Sequence, residues 1–247
     1  MNETIRIMRN HRSIRKYKPD PVPPELLESI MRAAQMASTS TNMQAYSVIA
    51  VTDPEDRNRL AELCGDQKFI AGCPLFLVWC ADLHRLERVH RLRRGEDPPY
   101  LNTMENFIVS TVDASLAAQN AALAAESLGL GIVFVGGIRN RIREVTELLR
   151  LPKLVYPVFG MCMGYPDQDV ILRPRLPLDA VLHRGQYSSD GLEEHLRAYD
   201  ESISNYMRER TRGRIASTWS EIMAGKLEEP VRLHMRQYLE EQGFGMS

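Results

Sequence analysis

The stretch from Asn106 to Leu128, NFIVSTVDASLAAQNAALAAESL, constrains the fold more than any other part of the chain. It reads as one long helix of alanine and other small residues, apolar on most of its faces. Such a helix is buried, either in a core or at a subunit interface. Gly129 follows it as a natural cap. Shorter apolar runs flank it at Ser47–Thr52, Pro74–Asp82, Leu130–Val135 and Tyr156–Met163, and each reads as a strand. Pro74–Asp82, PLFLVWCAD, has the composition of a strand buried on both faces.

Helical patterns fill the spaces between. Thr4–Asn10 predicts a short helix, and Asp56–Cys64 and Asn140–Leu149 predict two more. Another begins near Pro24, where the missing N–H costs nothing, with Glu25 and Glu28 favourable to the helix dipole. Its residues Leu26, Leu27, Ile30, Ala33, Ala34 and Ala37 recur at helical spacing and face a core. His84–Asp97 is Arg-rich and reads as an exposed loop or a mobile helix. Arg173–Ser247 holds two or three amphipathic helices without clear strands. The order β-α-β-α-β-α-β with a helical tail predicts an α/β or α+β sandwich, one sheet between helices. The 247 residues suffice for a core that needs no disulfide or metal staple.

Several function classes are excluded by what the chain lacks. Lys and Arg number 31 against 32 for Asp and Glu, a balance that argues against a nucleic-acid binder. The amino terminus shows no secretory h-region, and the longest apolar stretch is too short for a bilayer, which predicts a soluble, cytoplasmic chain. Cys64, Cys73, Cys80 and Cys162 form no C-x-x-C pair and read as buried, reduced thiols. No His/Cys cluster supports a metal site, and no G-x-S-x-G supports a hydrolase. The first strand is not followed by G-x-G-x-x-G, which argues against a Rossmann fold. His84, His90, His183, His195 and His234 read as scattered surface residues.

Four polar tracts carry the chemistry that is left. HRSIRKYK offers His11, Arg12, Ser13, Arg15, Lys16 and Lys18, suited either to a phosphate or to a solvated basic face. In an extended segment Ser13 and Arg15 share one side. Arg173-Pro-Arg175 is either a second anion clamp, stiffened by Pro174, or a surface loop. Ser38–Gln44, STSTNMQ, could hold a polyol and ring edge or merely cap a helix. Gly136-Gly137 lets backbone amides approach a flat ring, and is a tight turn in either case. Anion-holding groups without an evident acid, base or nucleophile suit a protein whose bound cofactor performs the chemistry.

His11–Arg15, the loop to Gln44, Gly65-Asp-Gln-Lys68, ESLGLG from Glu126 to Gly131, Gly136-Gly137-Ile-Arg-Asn140 and Arg173-Pro-Arg-Leu-Pro177 occur in that order. With Ser217-Thr-Trp-Ser220 in the tail, the sequence resembles the FMN-dependent nitroreductase family over nearly its whole length. The resemblance is strongest to the oxygen-insensitive, NADPH-preferring nitroreductase and flavin-reductase branch.

That resemblance implies an α+β fold, a central mixed, mainly antiparallel sheet sandwiched by helices, in an intertwined homodimer. It implies a single domain over 1–247, with a core to about residue 180 and a helical extension over about 181–247. His11, Arg12, Ser13, Arg15, Arg173 and Arg175 would hold FMN at its phosphate and pyrimidine side, with Arg15 the cation nearest N1 and O2. Thr39 and Ser40 would reach it from the partner subunit, and Gln67 would bond the ribityl chain or ring edge. Phe134, Val135, Gly136 and Gly137 would line the ring, a glycine amide facing N5. Arg210, Arg212 and Arg214 would meet the 2′-phosphate of NADPH. The implied activity is ping-pong, two-electron NAD(P)H oxidation with nitroaromatics, quinones or free flavin as acceptor. A flavin or disulfide reductase on the same scaffold, or an FMN-holding module without turnover, are the alternatives. No metal, nucleic-acid or membrane partner is implied.

Overall fold

The computed structural model describes residues 1–245. They divide into two compact units, one formed by Met1–Val170 with the described residues from Arg232 onward, the other by Ile171–Val231. In chain order the first unit contains α1 (Glu3–Arg9), α2 (Pro24–Gln35), β1 (Tyr46–Val51), α3 (Pro54–Leu63), α4 (Lys68–Gly72), β2 (Leu75–Asp82), α5 (His84–Arg94), α6 (Met104–Ser127), β3 (Gly131–Val135), α7 (Ile142–Leu148) and β4 (Val155–Gly164). The second unit holds α8 (Leu192–Thr211) and α9 (Trp219–Glu228), and α10 (Met235–Gln242) belongs again to the first.

The four strands lie in the order β1-β2-β4-β3, every neighbouring pair antiparallel. A parallel bridge from Ser13 to Ile132 adds the amino-terminal segment at the β3 edge, which makes the sheet mixed. The expected α+β class, mainly antiparallel with helices, is therefore the one observed. Alternation along β2 explains its unbroken apolar run. Leu75, Leu77, Trp79 and Ala81 enter one core, while Phe76, Val78 and Cys80 enter the core on the other face. A strand covered on both sides admits a polar side chain only where it is hydrogen-bonded, as Asp82 is at the end of β2.

Helix α6 closes the first of these cores. Thr103 caps its start by accepting from the Asn106 amide. Ala114, Ala117, Ala118, Ala121, Ala122 and Ala125 are buried at helical spacing against Ile30 and Ala34 of α2 and the sheet. Alanine on this face lets backbones approach closely. Ile108, Val112 and Leu116, one helical turn apart on another face, remain 47%, 47% and 45% exposed. The helix thus meets the core half of the sequence expectation, while another of its faces is uncovered in the single chain.

All four cysteines are buried and free. Burial pushes the Cys64 thiol up to about 12 and raises Cys80 and Cys162 as well, so these thiols stay protonated at neutral pH. Between Trp79 and Cys80 the β2–β4 register slips, leaving Val158 of β4 without a partner across the strand.

Some elements depart from the sequence reading. Of the two alternatives for the Arg-rich segment the helix is the one found, α5, stopped by left-handed Gly95. Helix α4 has only five residues, too few to leave a periodic signal. His84, His90, His183, His195 and His234 are all half-buried, and His234 Nε2 lies 3.0 Å from the Arg139 carbonyl. No helix among the described residues is long and apolar enough to cross a membrane.

Candidate functional site

The basic segment is extended and held from both sides. Ile14 is buried and its amide donates to the Ile132 carbonyl at 2.9 Å. This pairing needs Gly131, because a Cβ there would lie 2.5 Å from Ile14 Cγ1. On the other side the chain leaving β4 runs alongside. Tyr17 bridges Pro166, the Asp167 amide donates to the Lys16 carbonyl at 2.9 Å, and the Arg15 amide donates to Gln168 Oε1 at 3.0 Å. The hydroxyl of buried Tyr17 donates to the Ile14 carbonyl at 2.6 Å, tying the segment to itself.

With the backbone so fixed, the side chains of the segment are placed. His11 Nδ1 lies 2.6 Å from Glu126 Oε1, which joins the HRSIR and ESLGLG tracts. Arg12 donates through one Nη to the Asn10 carbonyl at 2.9 Å, while its Nε is buried without a partner. It lines a groove of about 470 Å³ with Arg6, Ile14, Gly131 and Gln168. Arg15 is exposed, its guanidinium 5.9 Å from the centre of the Phe69 ring in α4. Ser13 is half-buried.

A second assembly forms around the carbonyl of Cys64. Gln67 Nε2 donates to it at 3.0 Å and Asn140 Nδ2 at 3.2 Å. Gly137 packs against the same point, since a Cβ there would stand 2.5 Å from both Cys64 O and Gln67 Nε2. The GDQK and GGIRN tracts are therefore one structural unit. Ahead of the turn, Val135 is buried, whereas Phe134 is 38% exposed and meets Phe159 edge-on at 5.3 Å.

The turn is buttressed by cations that the sequence reading did not single out. Arg139 donates through Nη1 to the carbonyl of Val158, the residue left over at the strand bulge. Burial, and then the nearby Arg232 cation, lower the pKa of Arg139. Arg232 has a left-handed backbone, φ 55°, and donates through Nε to Asn140 Oδ1 at 2.9 Å.

The loop with Thr39 and Ser40 is held elsewhere. Asp113 of α6 accepts from the Ser40 and Ala45 amides, each at 3.0 Å. Arg85 donates to the Gln44 carbonyl at 2.9 Å and to Ser47 Oγ at 2.9 Å. Among the described residues no hydrogen bond joins Thr39 or Ser40 to the HRSIR, GDQK or GGIRN tracts. In the second unit, Arg173 and Arg210 share the ring of buried Tyr206, at 5.5 and 5.9 Å from its centre. Arg175 is exposed there and donates to the Arg173 carbonyl at 3.0 Å. Arg212 ends α8 in a left-handed conformation, and Arg214 Nε donates to the Thr211 carbonyl at 3.2 Å.

Comparison with known proteins places the chain in a family. The profile described as Nitroreductase family matches residues 8–165, and that of the Nitroreductase family, C-terminal domain, matches 173–247. The chain belongs to the nitroreductase family. Within it, the chain is 41% identical over 246 residues to the FMN reductase (NADPH) of Bacillus subtilis, covering 99% of each sequence. It is 41% identical over 245 residues to the oxygen-insensitive NADPH nitroreductase of Salmonella typhimurium, again covering 99% of each. The solved structure of NfrA2 from B. megaterium superposes with a TM-score of 0.97 at 39% identity, covering 100% of both chains. That of the NADPH:FMN oxidoreductase from Vibrio harveyi complexed with NAD+ gives 0.88 at 38% identity, covering 98% of both.

For this nitroreductase-family chain, sequence reasoning missed Asp113, Phe69, Gln168, Arg139 and Arg232 as parts of the arrangement. Asp113 left one signal, a carboxylate well inside an apolar helix whose other two acids, Glu105 and Glu126, stand at its ends. Phe69 directly follows the GDQK tract and Arg139 stands inside GGIRN without having been singled out, whereas Gln168 and Arg232 are set beside the motifs only by the fold.

Proposed function

We propose that the chain is an FMN-dependent NAD(P)H oxidoreductase that passes two electrons to small acceptors such as nitroaromatics, quinones or flavins. The observation that carries this reading is Arg12. A guanidinium with a buried, unpartnered Nε beside a groove is costly unless an anion completes it, and a phosphate monoester does so with charge-assisted hydrogen bonds. The residues present therefore fit FMN. His11, Arg12, Ser13 and Arg15 would hold its phosphate and pyrimidine side together with Arg173 and Arg175. Gln67 and Phe134–Gly137 would seat the ring.

Bound there, the flavin would supply the two-electron chemistry, taking hydride from the nicotinamide and giving it to the acceptor. The protein's part is positioning and charge. Arg15 keeps a cation over Phe69, at the end of the segment next to the Gln67 turn. Gly136 presents backbone without a side chain, so a flat ring can approach it closely. Arg210, Arg212 and Arg214 would bind the 2′-phosphate of NADPH, and Tyr206 holds Arg210 together with Arg173.

The chain works as a homodimer and as one functional domain in this reading. The uncovered Ile108–Val112–Leu116 stripe supports the dimer. So does the separate anchoring of Thr39 and Ser40, which suits a role at the partner's cofactor.

The test is spectroscopic. Purified protein should be yellow, bleach on anaerobic addition of NADPH and regain colour with nitrofurazone or a quinone. Flavin that stays oxidised with both NADPH and NADH would mark a non-catalytic module instead, and absence of flavin would remove the reading. A second expectation concerns Arg15. Arg15→Ala should weaken FMN binding about tenfold and slow its reduction, because one charge-assisted contact is lost. Arg15→Lys should recover only part of this, since an ammonium cannot stack on Phe69 as a guanidinium does. Flavin titration and stopped-flow traces equal to those of the parent would contradict this role.

A further inference from the structure

From Asp113 we infer a positioning residue for cofactor binding, a buried carboxylate that fixes the Thr39–Ser40 loop in its binding shape before any ligand arrives. This rests on the reading above that the loop contributes to the cofactor site.

Asp113 sits mid-way along α6 and is 1% exposed. Burying a carboxylate among alanines is unfavourable unless hydrogen bonds replace its water. Here the two oxygens are divided between two amides, Oδ1 taking Ser40 N–H and Oδ2 taking Ala45 N–H. One side chain thus pins both the entry and the exit of the loop. Between these points Thr41, Asn42 and Gln44 have φ of 45°, 60° and 50°, three left-handed residues, none of them glycine, interrupted by right-handed Met43. Backbone of this kind persists only where its surroundings over-determine it. Asp113 acts on one side, while on the other Arg85 holds the carbonyls of Gln44 and Tyr46. The Thr39 hydroxyl closes the loop internally by accepting from the Gln44 amide at 3.3 Å. The neighbours of Asp113 on the next face of α6 are the uncovered Val112 and Leu116. The same helix therefore carries the loop anchor and the apolar stripe, so the loop is referenced to the surface a second copy would cover.

Asp113→Asn keeps the shape but turns one acceptor into a donor facing an amide N–H. The full-length protein should then bind FMN about tenfold more weakly, measured by fluorescence quenching well below its melting temperature. Its visible circular dichroism with flavin bound should change while its far-ultraviolet spectrum does not. Amide hydrogen exchange should accelerate in the peptide spanning residues 39–46. Ser40→Pro is the second variant. It deletes the N–H from the loop side at the first residue of a tight turn preceded by extended Thr39, a position proline tolerates. It should loosen the same peptide, and adding Asp113→Asn to it should cost less than the two changes apart. Slow exchange in 39–46 with parental FMN affinity in both variants would overturn the proposal. Fast exchange with parental affinity would overturn its cofactor half, and would fault the assignment of the loop to the flavin site rather than the anchoring by Asp113.

Discussion

Gly131→Val should yield a protein purified without flavin colour. The Cβ of any side chain at this position falls 2.5 Å from Cγ1 and 2.8 Å from Cβ of Ile14. Ile14 cannot yield easily, because it is buried and stiff at χ1, and its amide is bonded to Ile132. The extended segment must lift from the β3 edge, taking Arg12, Ser13 and Arg15 with it. Overpacking should cost about 1–3 kcal/mol of stability. Loss of two or more charge-assisted contacts should weaken FMN binding at least about hundredfold. Flavin-to-protein absorbance ratios and thermal melts measure both effects. Ile14→Ala in the same chain should restore only part of the flavin, since it removes the contact at Cγ1 and keeps the one at Cβ. A yellow Gly131→Val protein with parental melting temperature would refute this account of the segment.

Gly137→Ala should act differently and almost as strongly. Its Cβ would stand 2.5 Å from a backbone carbonyl, Cys64 O, and from Gln67 Nε2. A flexible side chain could step aside, but the carbonyl is fixed between Gln67 and Asn140. The Gly136-Gly137 turn must move instead, by a substantial fraction of an ångström. The segment proposed to hold the phosphate lies on the other tract and is left in place, so the protein should keep much of its flavin. Hydride transfer depends on the relative placement of reacting atoms, and a misplacement of about 1 Å can cost about a hundredfold in rate. We expect stopped-flow reduction by NADPH to fall by about ten- to a hundredfold, with flavin content changed far less. Equal reduction rates would show that the turn does not set the ring's position.

These two glycines also mark how far sequence reading reaches. The strands and long helices were legible because their apolar periodicity is strong. PLFLVWCAD announced a strand covered on both faces, and it is. The motifs were legible as separate tracts, each open to a bland reading. Their pairing was not, because the reason for a glycine lies on the residue it faces. Nothing local says that Gly131 makes room for Ile14, or that Gly137 rests on the Cys64 carbonyl. Asp113 was hidden for a related reason, since its partners are amides far away in sequence and backbone groups leave no trace in residue type. Arg139 and Arg232 were hidden by abundance, two arginines among many. Of Arg210, Arg212 and Arg214, only Arg210 shares an aromatic platform with Arg173, a pairing that no local pattern announces.

The return of the chain from Ile171–Val231 to the first unit has a consequence for entropy. Helix α10 is stitched to the strand-entry region: the Leu154 amide donates to the Gln242 carbonyl at 2.8 Å, and Gln242 Nε2 donates to the carbonyls of Pro152 and Val155. The intervening span is therefore a closed excursion rather than a dangling end. A polymer pinned at two points explores far less volume than one pinned at a single point. The arginines it carries are kept at high effective concentration by covalent connection alone, whatever contacts they form.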